Sequence, residues 1–132
     1  MEIKKIPDAE LEIMQVLWRN PDPLTTSEIC EELHKTTPSL LATTTKLLSR
    51  LYDRGFVLSV KKGNYRIHTP LVNEEEYLEV INRTFLEKVN HNSIKKFLVS
   101  LARTRDINEE DIESLREFIK ETEEKKPKNY NI

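Results

Sequence analysis

Two sets of side chains in this 132-residue sequence could take part in binding chemistry, and the first is a cysteine and a histidine. Cys30 and His34 lie four residues apart, so on a helix both would face one side and could share a metal ion. Two ligands do not complete a metal site, and the other histidines, His68 and His91, belong to other segments. The pattern favours the alternative, a small buried thiol beside a surface histidine, so we predict no metal and no other cofactor.

The second set is a block of basic side chains in the middle of the chain. Seven basic residues stand there with a single acid, Asp53, whereas the whole chain carries 21 basic and 23 acidic side chains. The basic members are Lys35, Lys46, Arg50, Arg54, Lys61, Lys62 and Arg66. A basic block in an otherwise acidic chain is typical of a nucleic-acid-binding surface, although runs of charge that only face solvent are common.

The rest of the sequence argues against catalysis and membrane insertion. It contains no glycine-rich phosphate loop, nucleophile elbow or zinc-protease motif, so we predict no catalytic residue and no enzyme. No stretch approaches the roughly 18 apolar residues that a membrane-spanning helix needs, and the first residues lack an apolar signal segment. Cys30 is the only cysteine, which excludes an internal disulfide. We therefore expect a cytoplasmic protein.

Three helices must position the basic block. The spacing of apolar residues predicts a first helix over residues 7–19. A capping box at residues 25–28 predicts a second helix that ends near His34. A third helix is predicted over residues 39–54, and Gly55 closes it.

Two short strands are predicted next, at residues 57–61 and 65–69, around Gly63, whose backbone freedom suits a tight hairpin turn. Three helices followed by a hairpin are typical of a winged helix-turn-helix domain, which we assign to residues 1–72. The predicted fold class is mainly α. The tip and inner flank of the hairpin are predicted to present Lys61, Lys62, Arg66 and His68.

The second helix of a helix-turn-helix pair enters the major groove of DNA. In this chain that helix is the third, whose inner face is predicted to carry Leu40, Thr44, Leu47, Leu48 and Leu51. The outward side chains predicted to lie over base edges are Ala42, Thr45 and Lys46. Those predicted to lie nearer the phosphates are Thr43, Ser49 and Arg50, with Lys61, Lys62 and Arg66 contributed by the hairpin.

The chain after residue 72 is predicted to form three amphipathic helices, the first over about residues 74–89 and the others after Ser93 and Asn108. These helices bury little surface alone, so we expect a partner, and the simplest is a second copy of the chain. We assign residues 73–121 to a helical dimerisation domain and 122–132 to a polar, frayed tail. The predicted dimer contacts are Tyr77, Ile81, Phe85, Phe97, Leu98, Leu101, Ile112, Leu115 and Ile119.

Several segments together resemble the penicillinase-repressor family (BlaI/MecI type). The four that carry the resemblance are IPDAELEIMQVLW at 6–18, LTTSEI at 24–29, LSRLYDRGF at 48–56 and YRIHTPLV at 65–72. It continues through Glu76-Tyr77, residues 93–98 and residues 107–112, so it covers nearly the whole chain. The resemblance implies a homodimeric repressor that binds a dyad-symmetric operator in double-stranded DNA, and in such families a membrane sensor often triggers induction.

The chain departs from the family pattern in three places. Members that are induced by proteolysis are cut between an asparagine and a phenylalanine, and the matching position here is Ser100-Leu101. Copper-responsive relatives carry a cysteine cluster near the C-terminus, which this chain lacks. The family usually opens its recognition helix with Ser-Pro-Lys-Thr, whereas this chain reads LLAT at 40–43. The operator sequence need not be that of the relatives.

Two interpretations from different classes stay open: a DNA-binding repressor, and a protein-interaction module whose basic face contacts an acidic partner. A protein-docking surface should present exposed aromatic or large apolar side chains. The outward face of the third helix is predicted to present Ala42, Thr45, Lys46 and Ser49 instead, which favours DNA. An enzyme is the least supported class, and hydrolysis of β-lactam substrates would test it.

Overall fold

The computed structural model describes residues 2–104 and 107–125. The chain divides into two compact units, Met1–Phe85 and Leu86–Ile132. The mainly α fold class is confirmed, with a small sheet in the first unit. The elements in chain order are α1 Asp8–Trp18, β1 Leu24–Thr25, α2 Thr26–His34, α3 Leu41–Asp53, β2 Val57–Lys62, β3 Tyr65–Pro70, α4 Glu74–Val89, α5 Ile94–Thr104 and α6 Glu109–Lys125.

Helices α1, α2 and α3 enclose the core of the first unit. Ile13, Met14 and Leu17 of α1 are buried with Ile29 of α2 and Leu51 of α3. The start of α2 is fixed locally by the predicted capping box, in which the Glu28 N–H donates to the Thr25 hydroxyl and the Thr25 N–H donates to the Glu28 carboxylate. The helix-turn-helix pair is thus set by side chains of its own sequence and by one shared apolar core.

The sheet has three antiparallel strands in the order β1-β3-β2. The hairpin of β2 and β3 turns at Gly63, whose φ of 64° lies in the left-handed region, as predicted for this glycine. The two-residue strand β1 is absent from the sequence prediction, because so short a segment has no visible alternation. Its pairing of Leu24 with His68 makes β3 the central strand and ties the wing to the start of α2.

The first turns of α4 complete the core of the first unit. The Tyr77 side chain is 3% exposed, and its ring centroid lies 5.8 Å from those of both Trp18 and Phe56. The Ile6 N–H donates to the Tyr77 hydroxyl at 2.9 Å. Tyr77 is therefore a core residue of its own chain, and not the exposed dimer contact predicted from the sequence. The unit extends past residue 72 because Tyr77 belongs to its core.

The second unit presents apolar side chains to solvent. Helices α5 and α6 contain no buried residue, and Leu98, Leu115 and Ile119 are 39%, 44% and 58% exposed. Helix α6 continues to Lys125, past the predicted start of the tail, because glutamate and lysine, which dominate its last turns, favour a helix. The rest of the predicted tail, residues 126–132, lies outside the described residues. No helix in the described ranges is long and apolar enough to cross a membrane.

Candidate nucleic-acid interface

Helix α3 and the β2–β3 hairpin together present the predicted DNA-contacting side chains. All nine are exposed: Ala42, Thr43, Thr45, Lys46, Ser49, Arg50, Lys61, Lys62 and Arg66. On the inner face of α3, Thr44, Leu48 and Leu51 are buried against the core. The helix thus divides into a packed face and an outward face, as its 3.6-residue period predicts.

Some basic residues of the block are held in ion pairs with acidic side chains of the same chain, and others are not. The Arg54 Nε, at the end of α3, lies 2.9 Å from Oε1 of Glu10, whose side chain is 1% exposed. Neither oxygen of Glu10 accepts a hydrogen bond of good geometry, so this contact is mainly electrostatic. Lys35 is paired with Glu32 at 3.2 Å. Among the described residues, no ion pair occupies the remaining members of the basic block: Lys46, Arg50, Lys61, Lys62 and Arg66.

Two surface grooves bring part of the predicted site together. Thr45, Ser49 and Arg66 line a groove between α3 and the hairpin, together with Thr26 at the start of α2. A neighbouring groove joins Thr45 and Arg66 to Lys61. The other predicted residues line neither groove: Ala42, Thr43, Lys46, Arg50 and Lys62. The arrangement is a hydroxyl-rich concave surface with cations on the hairpin side and one carboxylate in each groove, Asp53 in the first and Glu28 in the second.

His68 lies at the floor of the first groove, and the prediction that it is presented by the wing is wrong. Its side chain is 2% exposed because β1 and β2 flank it on the central strand. Nε2 lies 2.8 Å from the Thr26 hydroxyl oxygen and Nδ1 lies 2.7 Å from that of Ser59. Burial, with a smaller contribution from the Arg66 charge, lowers the pKa of His68 below its ordinary value of 6.5.

The lowered pKa of His68 makes the stability of the fold depend on pH. As the pH falls below 6.5, the unfolded chain takes up this proton before the folded one, so the free energy of unfolding decreases. The slope from one proton is at most about 1.4 kcal/mol per pH unit. Urea unfolding from about pH 8 to about pH 5 measures it. We expect a smaller slope for His68→Gln than for the wild type, and the wild-type slope for His91→Asn, which replaces an exposed histidine. Equal slopes in all three proteins would contradict this assignment.

The outward face also contains large apolar side chains that sequence reasoning missed. Leu40 is 72% exposed, and Leu41 and Tyr52 are each 52% exposed. Leu40 was assigned to the inner face, but α3 begins at Leu41, which leaves Leu40 extended with φ −95° and ψ 142°. The sequence feature that could have revealed this exposed apolar surface is the pair of adjacent leucines, Leu40 and Leu41, at the start of the helix. The prediction that this face lacks large apolar residues is wrong.

Cys30 and His34 both contact Ser39 in the turn between α2 and α3. The Cys30 thiol lies 3.7 Å from the Ser39 carbonyl oxygen, and the Ser39 N–H donates to His34 Nδ1 at 3.0 Å. Within the described residues no three His, Cys, Asp or Glu side chains are grouped to hold a metal ion. These two side chains therefore position the turn that precedes α3.

The chain is similar to bacterial repressors over most of its length. The family model for the penicillinase repressor matches residues 6–121. The penicillinase repressor of Bacillus licheniformis is 30% identical over 127 residues, which cover 94% of this chain and 98% of that protein. The penicillinase repressor of Staphylococcus aureus is 24% identical, with 92% and 95% covered. The solution structure of the DNA binding domain of the repressor BlaI matches with a TM-score of 0.51 and 36% identity, over 58% of this chain and 92% of that domain.

Proposed function

Because this chain belongs to the penicillinase-repressor family, we propose that it is a transcriptional repressor that binds double-stranded DNA as a homodimer. The observation that carries the proposal is the outward surface of α3 beside the hairpin, where exposed hydroxyl and basic side chains have no ion-pair partner among the described residues. Such a surface matches the phosphates and base edges of a duplex. Transcriptional repression follows from the family and is not an enzymatic activity.

Helix α3 is the recognition helix of this proposal. Its outward side chains meet base edges through Ala42, Thr45 and Lys46, and phosphates through Thr43, Ser49 and Arg50. Asp53, the one acid on the helix, lies at its last residue, away from the N-terminal half that enters the groove. Lys61, Lys62 and Arg66 of the hairpin contact the phosphate backbone beside the groove.

Helix α4 and the second unit supply the dimer contact. The apolar faces of α5 and α6 are exposed in one chain, and a two-fold contact with a second copy would cover both at once. The proposed contacts are Ile81, Phe85, Phe97, Leu98, Leu101, Ile112, Leu115 and Ile119. A two-fold dimer reads two half-sites related by a dyad, about one helical turn apart. An upstream membrane sensor as the inducer is proposed from the family alone.

Selection of bound duplexes from a random-sequence library at near-physiological salt tests this function. We expect enrichment of a two-fold symmetric motif, because two identical recognition helices read it. The absence of an enriched motif, or binding that modest salt removes from all duplexes equally, would leave only nonspecific phosphate contacts. In that case the exposed Leu40, Leu41 and Tyr52 would favour the second candidate function, a protein-interaction module.

Replacement of Lys46 by alanine is expected to weaken binding to a single half-site of the selected duplex about 10- to 100-fold, since a specific base contact contributes about 1–3 kcal/mol. A titration at fixed salt measures the affinity. Lys120→Ala, at an exposed position of α6, is the control and should bind as the wild type does. Unchanged affinity of the Lys46→Ala protein would remove this residue from the interface.

A further inference from the structure

Two leucines are exposed where the recognition helix begins. Leu40 is 72% and Leu41 is 52% exposed. Neither side chain can cap the helix, because leucine has no hydrogen-bonding group, and the N-cap position is held by Leu40. The inner face of α3 is already filled by Thr44, Leu48 and Leu51. Leu41 also lines a groove beside Cys30 and His34 of α2, but about half of its surface stays in water, as does most of that of Leu40.

Leu41 continues the outward stripe of α3. Leu41, Thr45 and Ser49 follow one another at four-residue spacing and so lie on one face. The Thr45 hydroxyl donates to the Leu41 carbonyl at 2.9 Å, which commits its proton to the helix backbone. Thr45 is then left to offer its methyl group and its oxygen lone pairs. Ala42, the residue after Leu41, adds its own methyl group. The first two turns of this face are therefore mainly apolar.

The surroundings of Leu41 identify the kind of partner. Leu41 lines the same groove as Thr45 and the basic hairpin residues Lys61 and Arg66, which outnumber the one acid of that lining, Glu28. An acidic polymer that also presents methyl groups fits such a surface. Among the base edges of the major groove, only thymine presents an apolar group, the C5 methyl. Charge and apolar surface therefore select the same partner, duplex DNA with thymine under the start of the helix.

We propose that Leu41 is a specificity-determining residue that reads thymine C5 methyl groups in the operator, supported by the methyl groups of Ala42 and Thr45. This inference rests on the proposed function, because it requires that α3 lies in the major groove. Leu41 was not among the outward side chains predicted from the sequence to contact DNA. The inference gives this exposed leucine a direct role in binding.

The test replaces thymine by deoxyuridine, which lacks only the methyl group, one position at a time in one half-site of the selected duplex. For the wild-type protein we expect one or two positions where dU weakens binding about fourfold, the factor for losing one buried methyl. The Leu41→Ala protein should bind the selected duplex without dU more weakly than the wild type does. It should also lose the preference for dT over dU at those positions. The control Leu71→Ala removes a similarly exposed leucine, 55% against 52%, near the base of the hairpin, and should behave as the wild type.

The outcomes separate this inference from the repressor function. Specific binding by the wild type with no effect of dU at any position overturns thymine reading alone. An undiminished dT-over-dU preference in Leu41→Ala also overturns it, since another residue then reads the methyl group. If the wild type does not bind the selected duplex without dU specifically, the result counts against the proposed function itself.

Discussion

Replacement of Tyr77 by alanine is expected to lower the free energy of unfolding by about 4 kcal/mol, the range for deleting a buried aromatic side chain. The ring fills the space between Trp18 and Phe56, with both centroids 5.8 Å away, and only 3% of the side chain is exposed. Removing it leaves a cavity in the core of the first unit. Trp18 is the only tryptophan of the chain, so its fluorescence during urea unfolding reports on this core directly.

The matched variant Tyr77→Phe keeps the ring and removes only the hydroxyl. It should cost about 1–3 kcal/mol, because the buried Ile6 N–H then loses its acceptor. Both variants should be measured at several protein concentrations, since dissociation of the proposed dimer would make the apparent stability depend on concentration. If Tyr77→Ala unfolds like the wild type but associates more weakly, Tyr77 belongs to the dimer contact and not to this core.

Element boundaries could be predicted because their signals are local. The capping box of α2 forms as predicted, and Asn73 and Glu76 at the start of α4 are hydrogen-bonded in the same reciprocal way between side chain and backbone. The turn at Gly63 likewise needs only its own backbone conformation. Each signal involves residues within one turn of each other, so one sequence is enough to find them.

Contacts between segments far apart in the sequence determine the burial of Tyr77 and His68, which were predicted wrongly. Helical period places Tyr77 on the apolar face of α4, but it does not say that this face meets Trp18, which is 59 residues earlier in the chain. His68 is buried because β1 pairs with β3, and a two-residue strand has no periodicity to detect. Leu40 faces solvent for a local reason, because α3 starts at Leu41, two residues after its predicted start. For Tyr77 and His68, the sequence predicts the element that carries the residue but not the element that packs against it.

Replacement of Leu115 by aspartate is expected to convert the proposed dimer into a monomer at micromolar concentration. Leu115 lies on the exposed apolar face of α6, three and four residues before Phe118 and Ile119. Loss of one buried leucine costs about 1.5–3 kcal/mol, and two-fold symmetry applies that loss twice. With the added carboxylates, the dimer dissociation constant should rise about 1000-fold or more. Sedimentation measures the mass.

The same change separates association from DNA recognition. Leu115→Asp should weaken binding to a duplex with two half-sites at least about 100-fold, because the second half-site is no longer held at high effective concentration. Its affinity for a single half-site should match the wild type, since α3 and the hairpin belong to the other unit. Lys120→Ala changes the net charge of α6 by the same amount about 140° round the helix from Leu115, and it should leave the dimer intact. A dimer that survives Leu115→Asp would mean that the exposed face of α6 is not where the two copies meet, and the proposed interface would then have to lie elsewhere on the second unit.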